Sequence, residues 1–387
     1  MLSRKVAAQL RNYETPFYLY DINLLRQTLE SVVYESNKYN YKVHYAIKAN
    51  NDDYLLSIIR EYGIGIDCAS GNEVRKAIES GFDPKTVVYA GVGKRDKEIR
   101  YALEQEILAI NCESIEELKV VNALAAEMGK KADVGLRVNP DIDPKTNRCI
   151  DTGQADSKFG ISYEEILDNV DLIRSLENIN IIGIHIHIGS QIRELHVFEN
   201  MCNKANAIVE KLESLGFSFR IVDVGGGLGI NYDVPENEPI PNFASLFAIV
   251  HEHLNVEGKE VHFEFGRSLV GECGELITSV LFNKTTATGR RLLIIDASMP
   301  ALIRPMLYGS NHNNENITSQ EERTTKYTVV GTACESTDVF DENVSLKRSQ
   351  RGDLLAIKSA GAYGRSMASQ YNMHDLPGAV YSDQLGK

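Results

Sequence analysis

VHYAIKAN, residues Val43–Asn50, is a short alternating apolar run that stops at a lysine. Lysine is depleted in strand interiors and common on surfaces, so Lys48 marks where a strand ends. Seven further β-rich runs share this shape: GIGIDCAS, TVVYAG, ILAINCES, DVGLRVNP, IIGIHIHIGS, RIVDVGGGLG and VHFEFGRS. Helical patterns separate them. Asn72–Gly81 sets Val74, Ala77 and Ile78 at helical spacing and stops on glycine. Ser114–Gly129 opens with Ser114 and Glu117, the spacing of a capping box. Strand alternating with helix predicts a parallel sheet. Eight units between about Tyr41 and Gly271 predict a (β/α)8 TIM-type barrel of the α/β class.

After Glu272 the pattern changes. ELITSVLFNKTT, RRLLIIDAS, KYTVVGTACES and DLLAIKSAGAY read as strands with few helices between them. The expected organisation is a barrel over residues 25–270, then a C-terminal β-rich domain over 271–387. Residues 1–24, which hold the strand-like TPFYLYD, are expected to join the second domain. The polar stretch 141–162, DIDPKTNRCIDTGQADSKFGIS, has no periodicity and is expected to form a loop over the barrel mouth.

Composition narrows the function classes. The chain has 387 residues, 43% hydrophobic and 25% charged, with net charge −13. Its acidity and lack of basic runs argue against nucleic acid. No apolar run is long enough to span a bilayer, and MLSRKVAAQL does not read as a secretion signal. The expectation is a cytoplasmic protein. Six cysteines are scattered without CxxC pairs, so neither a zinc cage nor a disulfide framework is expected.

Active sites of such barrels lie at the C-terminal ends of the strands. Reading strand ends gathers Lys48, Asp67, Arg137 with Asn139, His187 with Ser190, Gly225–Gly227, and Glu264 with Arg267. The glycines allow backbone N–H groups to approach an anion, and Arg267 would add charge; a tight turn explains them equally well. A lysine facing an anion site and a carboxylate suggests pyridoxal 5'-phosphate. Its aldehyde condenses with the amine, and a carboxylate meets the ring nitrogen. Lys48 and Glu264 suit those parts, and His187 could stack on the ring. Each residue also has an ordinary reading: Lys48 as a solvated rim lysine, Glu264 as an arginine's partner. His185 and His187 alternate on one strand, and with no third ligand nearby no metal site is expected.

YAIKAN, HIHIGSQ, DVGGGLGI, EFGRSLV, CESTDVF and GAYGRSMASQYN together resemble the fold-type-III pyridoxal-phosphate decarboxylases of the alanine-racemase-like superfamily. The resemblance runs from about Thr15 to Asn372. CES, DASMPALIRPMLYGSNH and TGQADSKFGIS resemble the branch acting on diaminopimelate. That branch implies decarboxylation of meso-2,6-diaminopimelate to L-lysine, the last step of lysine biosynthesis. The resemblance implies Lys48 as the cofactor lysine and His187 as the stacking residue. Ser190, Gly227, Gly266 and Arg267 would lie at the phosphate, with Glu264 at the ring nitrogen. It further implies Arg267, Arg304, Tyr308 and Glu335 as substrate contacts, Tyr363 touching both molecules, and Cys334 as proton donor. It implies a homodimer whose active sites are shared, Cys334 and Glu335 entering the partner's. Phe265 departs from the family's usual proline, and the C-terminus lacks the family's basic, proline-containing stretch. Alternatives are a decarboxylase of lysine, ornithine, arginine or carboxynorspermidine, an amino-acid racemase, and a non-catalytic cofactor-binding protein.

Overall fold

The structure, a computed structural model, describes residues 4–142 and 157–385. Cys149 and residues 143–156, most of the loop expected over the barrel mouth, lie outside the described residues. The chain divides into two compact units. One comprises Leu29–Gly229 and Asn242–Gly266; the other comprises Met1–Thr28, Ile230–Pro241 and Arg267–Lys387. The segment 230–241, inside the first expected domain, thus belongs to the second unit.

Eight strands close the first unit into a parallel barrel: β2 (Lys42–Ala46), β3 (Gly65–Cys68), β4 (Val87–Tyr89), β5 (Ala109–Cys112), β6 (Ala132–Asn139), β8 (Ile179–His185), β9 (Ile221–Asp223) and β10 (Glu260–Phe265). A two-residue strand, β7 (Ile161–Ser162), pairs with β6 outside the ring. Closure runs through β10 beside β2 and β5 beside β6. This is the (β/α)8 barrel expected from the strand–helix alternation.

Alternation sends successive side chains to opposite faces. On β10, Phe263 and Phe265 point outward, packing on Phe243 and Phe247 of helix Phe243–His253 with ring centroids 4.8–6.0 Å apart. Phe265 is buried, which explains an aromatic residue where the family carries proline. His262 and Glu264 therefore face inward. The helices between strands are tied by local caps. Ser70 and Ser114 accept N–H bonds from Glu73 and Glu117. The glutamates reach back one residue further than a capping box, to the N–H groups of Ala69 and Glu113.

The barrel interior carries a polar load, not the branched apolar layers usual in this fold. Glycines make space for it. A Cβ on Gly65 would stand 2.5 Å from His44 Nδ1, and one on Gly135 would stand 2.2 Å from Asn111 Oδ1.

The second unit is built on β11 (Gly274–Thr285), β12 (Arg291–Ile295), β13 (Asn314–Asn316), β14 (Thr324–Val330), β15 (Val339–Lys347), β16 (Leu354–Ile357) and β17 (Gly378–Tyr381), with β1 (Phe17–Tyr20) from TPFYLYD. The order is β13-β16-β11-β12-β14-β15, and β1 joins β11 to β17. Leu10, Phe17, Leu19, Ile277, Leu354 and Ala356 form one core here.

Candidate active site

Lys48 sits in the turn Ile47–Ala49, immediately after β2. Its Nζ lies 2.5 Å from Asp67 Oδ2 on β3; the lysine side chain is 42% exposed and the aspartate 1%. The strand-end lysine is thus held at the edge of a buried carboxylate, with its own face open. Burial pushes the Asp67 carboxyl up and Glu264 adds to this, while Lys48 pulls the other way.

Glu264 stands one residue before the end of β10 and is buried. His185, the last residue of β8, places Nε2 3.1 Å from Glu264 Oε2. Burial alone would raise the Glu264 carboxyl, but His185, Lys48 and His187 hold it well below the usual carboxylate range. Burial alone would depress His185, yet Glu264 beside it leaves the imidazole raised. Glu264 Oε1 is buried with no hydrogen-bond partner among the described residues. A buried charged acceptor left open is costly, so it marks a place for a donor. A pyridinium N–H is such a donor, and with the half-exposed Lys48 amine the pair fits pyridoxal phosphate.

His187 lies two residues past β8, and its Nδ1 accepts the N–H of Gly226 at 3.1 Å. The ring therefore carries its proton on Nε2. Burial, with Arg137 and Lys48 nearby, lowers it to about 3, so it is neutral at working pH. An uncharged ring plane suits stacking. Ser190 is half-buried in the loop that follows, and Gly266 is buried directly after β10.

The glycine turn is tight. Gly225 has φ 65° and Gly227 φ 108°, and a Cβ on Gly226 would stand 1.9 Å from the Glu264 carbonyl oxygen. Gly225 N–H donates to Asp223 Oδ1 at 2.8 Å, and Gly226 N–H goes to His187. Two of the three amides expected to meet an anion are thus already committed. Arg137, expected on the rim, is buried and paired: its Nη1 meets Glu113 Oε1 at 2.5 Å. Glu113 also accepts N–H bonds from Gly91 and Gly160. Arg137 is a structural cation, not an open one.

The expectation of no metal rested on finding no third ligand beside two histidines. The fold brings Asp223 and Glu264 to His185, with one donor atom of each within 4.8 Å of the others. That premise fails; the three are read below as partners for a proton.

In the second unit, two buried arginines converge. Arg267 Nη1 and Arg304 Nη1 donate to the Tyr232 hydroxyl at 2.5 and 2.8 Å. Arg304 also contacts His312 Nε2 at 3.0 Å and Ser310 Oγ at 3.3 Å. His312 Nδ1 bonds the Lys358 carbonyl at 2.8 Å, so it donates there and accepts from Arg304. Arg267 lies 5.0 Å over the Tyr363 ring. Arg304 meets no carboxylate among the described ion pairs of this unit. Two desolvated cations converging on one neutral hydroxyl make an arrangement suited to a carboxylate. Tyr308 ends the short helix Arg304–Tyr308 and is half-buried. Tyr232 and His312 were not identified from sequence. His312 lies inside the motif DASMPALIRPMLYGSNH; Tyr232 had no motif and was legible only as an aromatic soon after the glycine turn.

Cys334 and Glu335 are both exposed. Cys334 N–H donates to Asn372 Oδ1 at 2.8 Å, and Glu335 Oε1 accepts the Tyr371 hydroxyl at 2.5 Å. Asp338 fixes the base of this loop by accepting N–H bonds from Ala333 and Met299 at 2.7 and 2.8 Å. Cys68, Cys112, Cys202 and Cys273 are buried, so Cys334 is the accessible thiol among the described residues.

The known proteins this chain resembles agree with this chemistry. Residues 25–271 match the family model for the pyridoxal-binding domain of pyridoxal-dependent decarboxylases. A diaminopimelate decarboxylase from Bacteroides thetaiotaomicron is 46% identical over 97% of this chain and 98% of that protein. One from Aquifex aeolicus is 40% identical over 96% of this chain and 87% of that protein. Among solved structures, diaminopimelate decarboxylase from Helicobacter pylori complexed with L-lysine superposes with a TM-score of 0.91. It is 35% identical and covers 97% of this chain and 93% of that chain.

Proposed function

Because the chain belongs to the pyridoxal-dependent decarboxylases, in the diaminopimelate decarboxylase family, we propose that it converts meso-2,6-diaminopimelate to L-lysine and CO2. The observation that carries the reading is the buried, open Glu264 Oε1 on the same strand-end rim as the half-open Lys48 amine. Pyridoxal phosphate, when bound, supplies a sink for the electron pair left when the α-carboxylate departs. Everything else falls to side chains of this chain. Lys48 supplies the amine that anchors the cofactor and yields to the substrate's amine. Asp67 holds that amine between turnovers. Glu264, kept ionised, accepts the ring N–H, and neutral His187 offers a flat face. Ser190, Gly227, Gly266 and Arg267 serve the phosphate.

The substrate has an amino-acid group at each end. Arg304, with Arg267, Tyr308 and Tyr363, takes a carboxylate, and Glu335 takes the distal ammonium. Cys334 donates the proton that replaces CO2 on the α-carbon, a role that needs a protonated, accessible thiol. A homodimer with Cys334 and Glu335 serving the partner's site is part of this reading; their exposure supports it. No helix among the described residues is long and apolar enough to cross a membrane; the proposed location is the cytoplasm.

The experiment is a substrate panel on the purified, cofactor-loaded protein. CO2 release is measured from meso-diaminopimelate, lysine, ornithine, arginine and carboxynorspermidine, with chiral analysis of products. Release from diaminopimelate at the highest kcat/KM is expected. Preference for another amine, or racemised substrate without CO2, overturns the assignment.

A further inference from the structure

Resting on the pyridoxal-phosphate reading, we propose that His185 is a positioning residue: it holds a proton between Glu264 and Asp223 and so keeps Glu264 an anion facing the cofactor's ring nitrogen. Three observations carry this. His185 is buried, its Nε2 is 3.1 Å from Glu264 Oε2, and its strand neighbour in register is Asp223 on β9. One donor atom from each of His185, Asp223 and Glu264 falls within 4.8 Å of the other two. Two other cations near this cluster are engaged by their own carboxylates: Arg137 by Glu113 and Lys48 by Asp67, both at 2.5 Å.

The charge count then decides the protonation pattern. An unpaired buried carboxylate expels its charge by taking up a proton, and two adjacent carboxylates share one. His185 is the group that reaches both Glu264 and Asp223, while His187 spends its Nδ1 on the Gly226 amide. One imidazolium can sustain one carboxylate anion. Glu264 holds the short contact, and burial with the neighbouring Glu264 charge pushes the Asp223 carboxyl well up. The charged and titratable groups around His185 are Glu264, Asp223 and Asp67, which favour its proton, and Arg137 and His187, which do not. The device therefore charges Glu264 and leaves Asp223 neutral. Asp223 in turn accepts the Gly225 N–H, tying the proton site to the glycine turn. His185 touches neither cofactor nor substrate in this scheme; it acts through Glu264.

The test uses the full-length, cofactor-loaded protein and two 15N spectra. Protein labelled with 15N-histidine is expected to show both ring nitrogens of His185 protonated at pH 7, where an ordinary histidine, with its pKa near about 6.5, is mostly neutral. Enzyme loaded with 15N-pyridoxal phosphate is expected to show a protonated ring nitrogen from about pH 6 to 9. In His185→Gln that signal moves to the unprotonated position at the upper end, and kcat falls about tenfold with KM within about twofold, the pattern of a lost transition-state contribution. Asp223→Asn leaves the ring-nitrogen signal in place. A neutral His185 at pH 7 in the wild-type spectrum, or an unchanged ring-nitrogen signal in His185→Gln, overturns the proposal. If His185→Gln does not fold, the wild-type histidine spectrum decides alone. Wild-type protein that takes up no cofactor would refute the cofactor reading, while the histidine spectrum still tests the proton between the carboxylates.

Discussion

Tyr232→Phe removes one oxygen and leaves the ring. The hydroxyl accepts from Arg267 at 2.5 Å and from Arg304 at 2.8 Å, and both guanidiniums are buried. A hydrogen bond to a charged group contributes about 1.5–3 kcal/mol, and a buried donor left unmet costs a comparable amount. Two such bonds set an upper figure near 6 kcal/mol. Arg304 keeps His312 and Ser310 as partners, and the ring stays 4.9 Å from its guanidinium carbon, so part of the loss is recovered. The expected net cost is about 2–4 kcal/mol in the stability of the second unit. The assay is urea unfolding followed by a probe in that unit, at constant m-value. Kinetically, the anion receptor is loosened while the Lys48 rim is untouched. KM for diaminopimelate should rise about tenfold with kcat within about threefold. Tyr232→Leu, which also removes the ring, should cost about 1 kcal/mol more from lost cation–π contact. A urea midpoint for Tyr232→Phe equal to wild type, with unchanged KM, would refute the idea that this hydroxyl organises the two arginines.

Lys48→Ala should abolish both the visible absorbance of bound cofactor and turnover; turnover near the wild-type rate would remove Lys48 from the mechanism. Glu113→Ala leaves Arg137 buried without its carboxylate and should cost about 3–5 kcal/mol, measured by urea denaturation. Adding Arg137→Met should recover most of that loss, and a strictly additive double variant would show the pair is not coupled. Burial raises the Glu275 carboxyl from 4.5 to about 7, so the folded state favours its neutral form. That stabilisation is complete below about pH 4.5 and is lost as pH climbs through about 7. Glu275→Gln should flatten this decline by about 1–2 kcal/mol between about pH 5 and 8, and an unchanged slope would place the titration elsewhere.

Sequence and tertiary structure divide the description along a physical line. The barrel was legible because strand and helix periodicity are local properties, readable within a dozen residues. The rim residues Lys48, Asp67, His187 and Glu264 were legible because barrels put chemistry at strand ends, so a strand boundary is also an address. The motif resemblance supplied Arg304 and Cys334, which no periodicity distinguishes.

Arg137 shows where that method stops. It sits on β6, yet its charge is consumed by Glu113, directly after the neighbouring strand β5, a partner no sequence spacing announces. Tyr232 shows the converse: an unremarked aromatic becomes the common acceptor of two arginines 35 and 72 residues away. His185 could be placed beside His187 by alternation, but not given its carboxylates, which arrive from β9 and β10. The sequence by itself determined which elements form and which residue types reach the strand ends, since those depend on local sterics and hydropathy. Only the tertiary structure decided which charges are spent on one another and which remain open, because pairing depends on burial and distance between strands far apart in the chain.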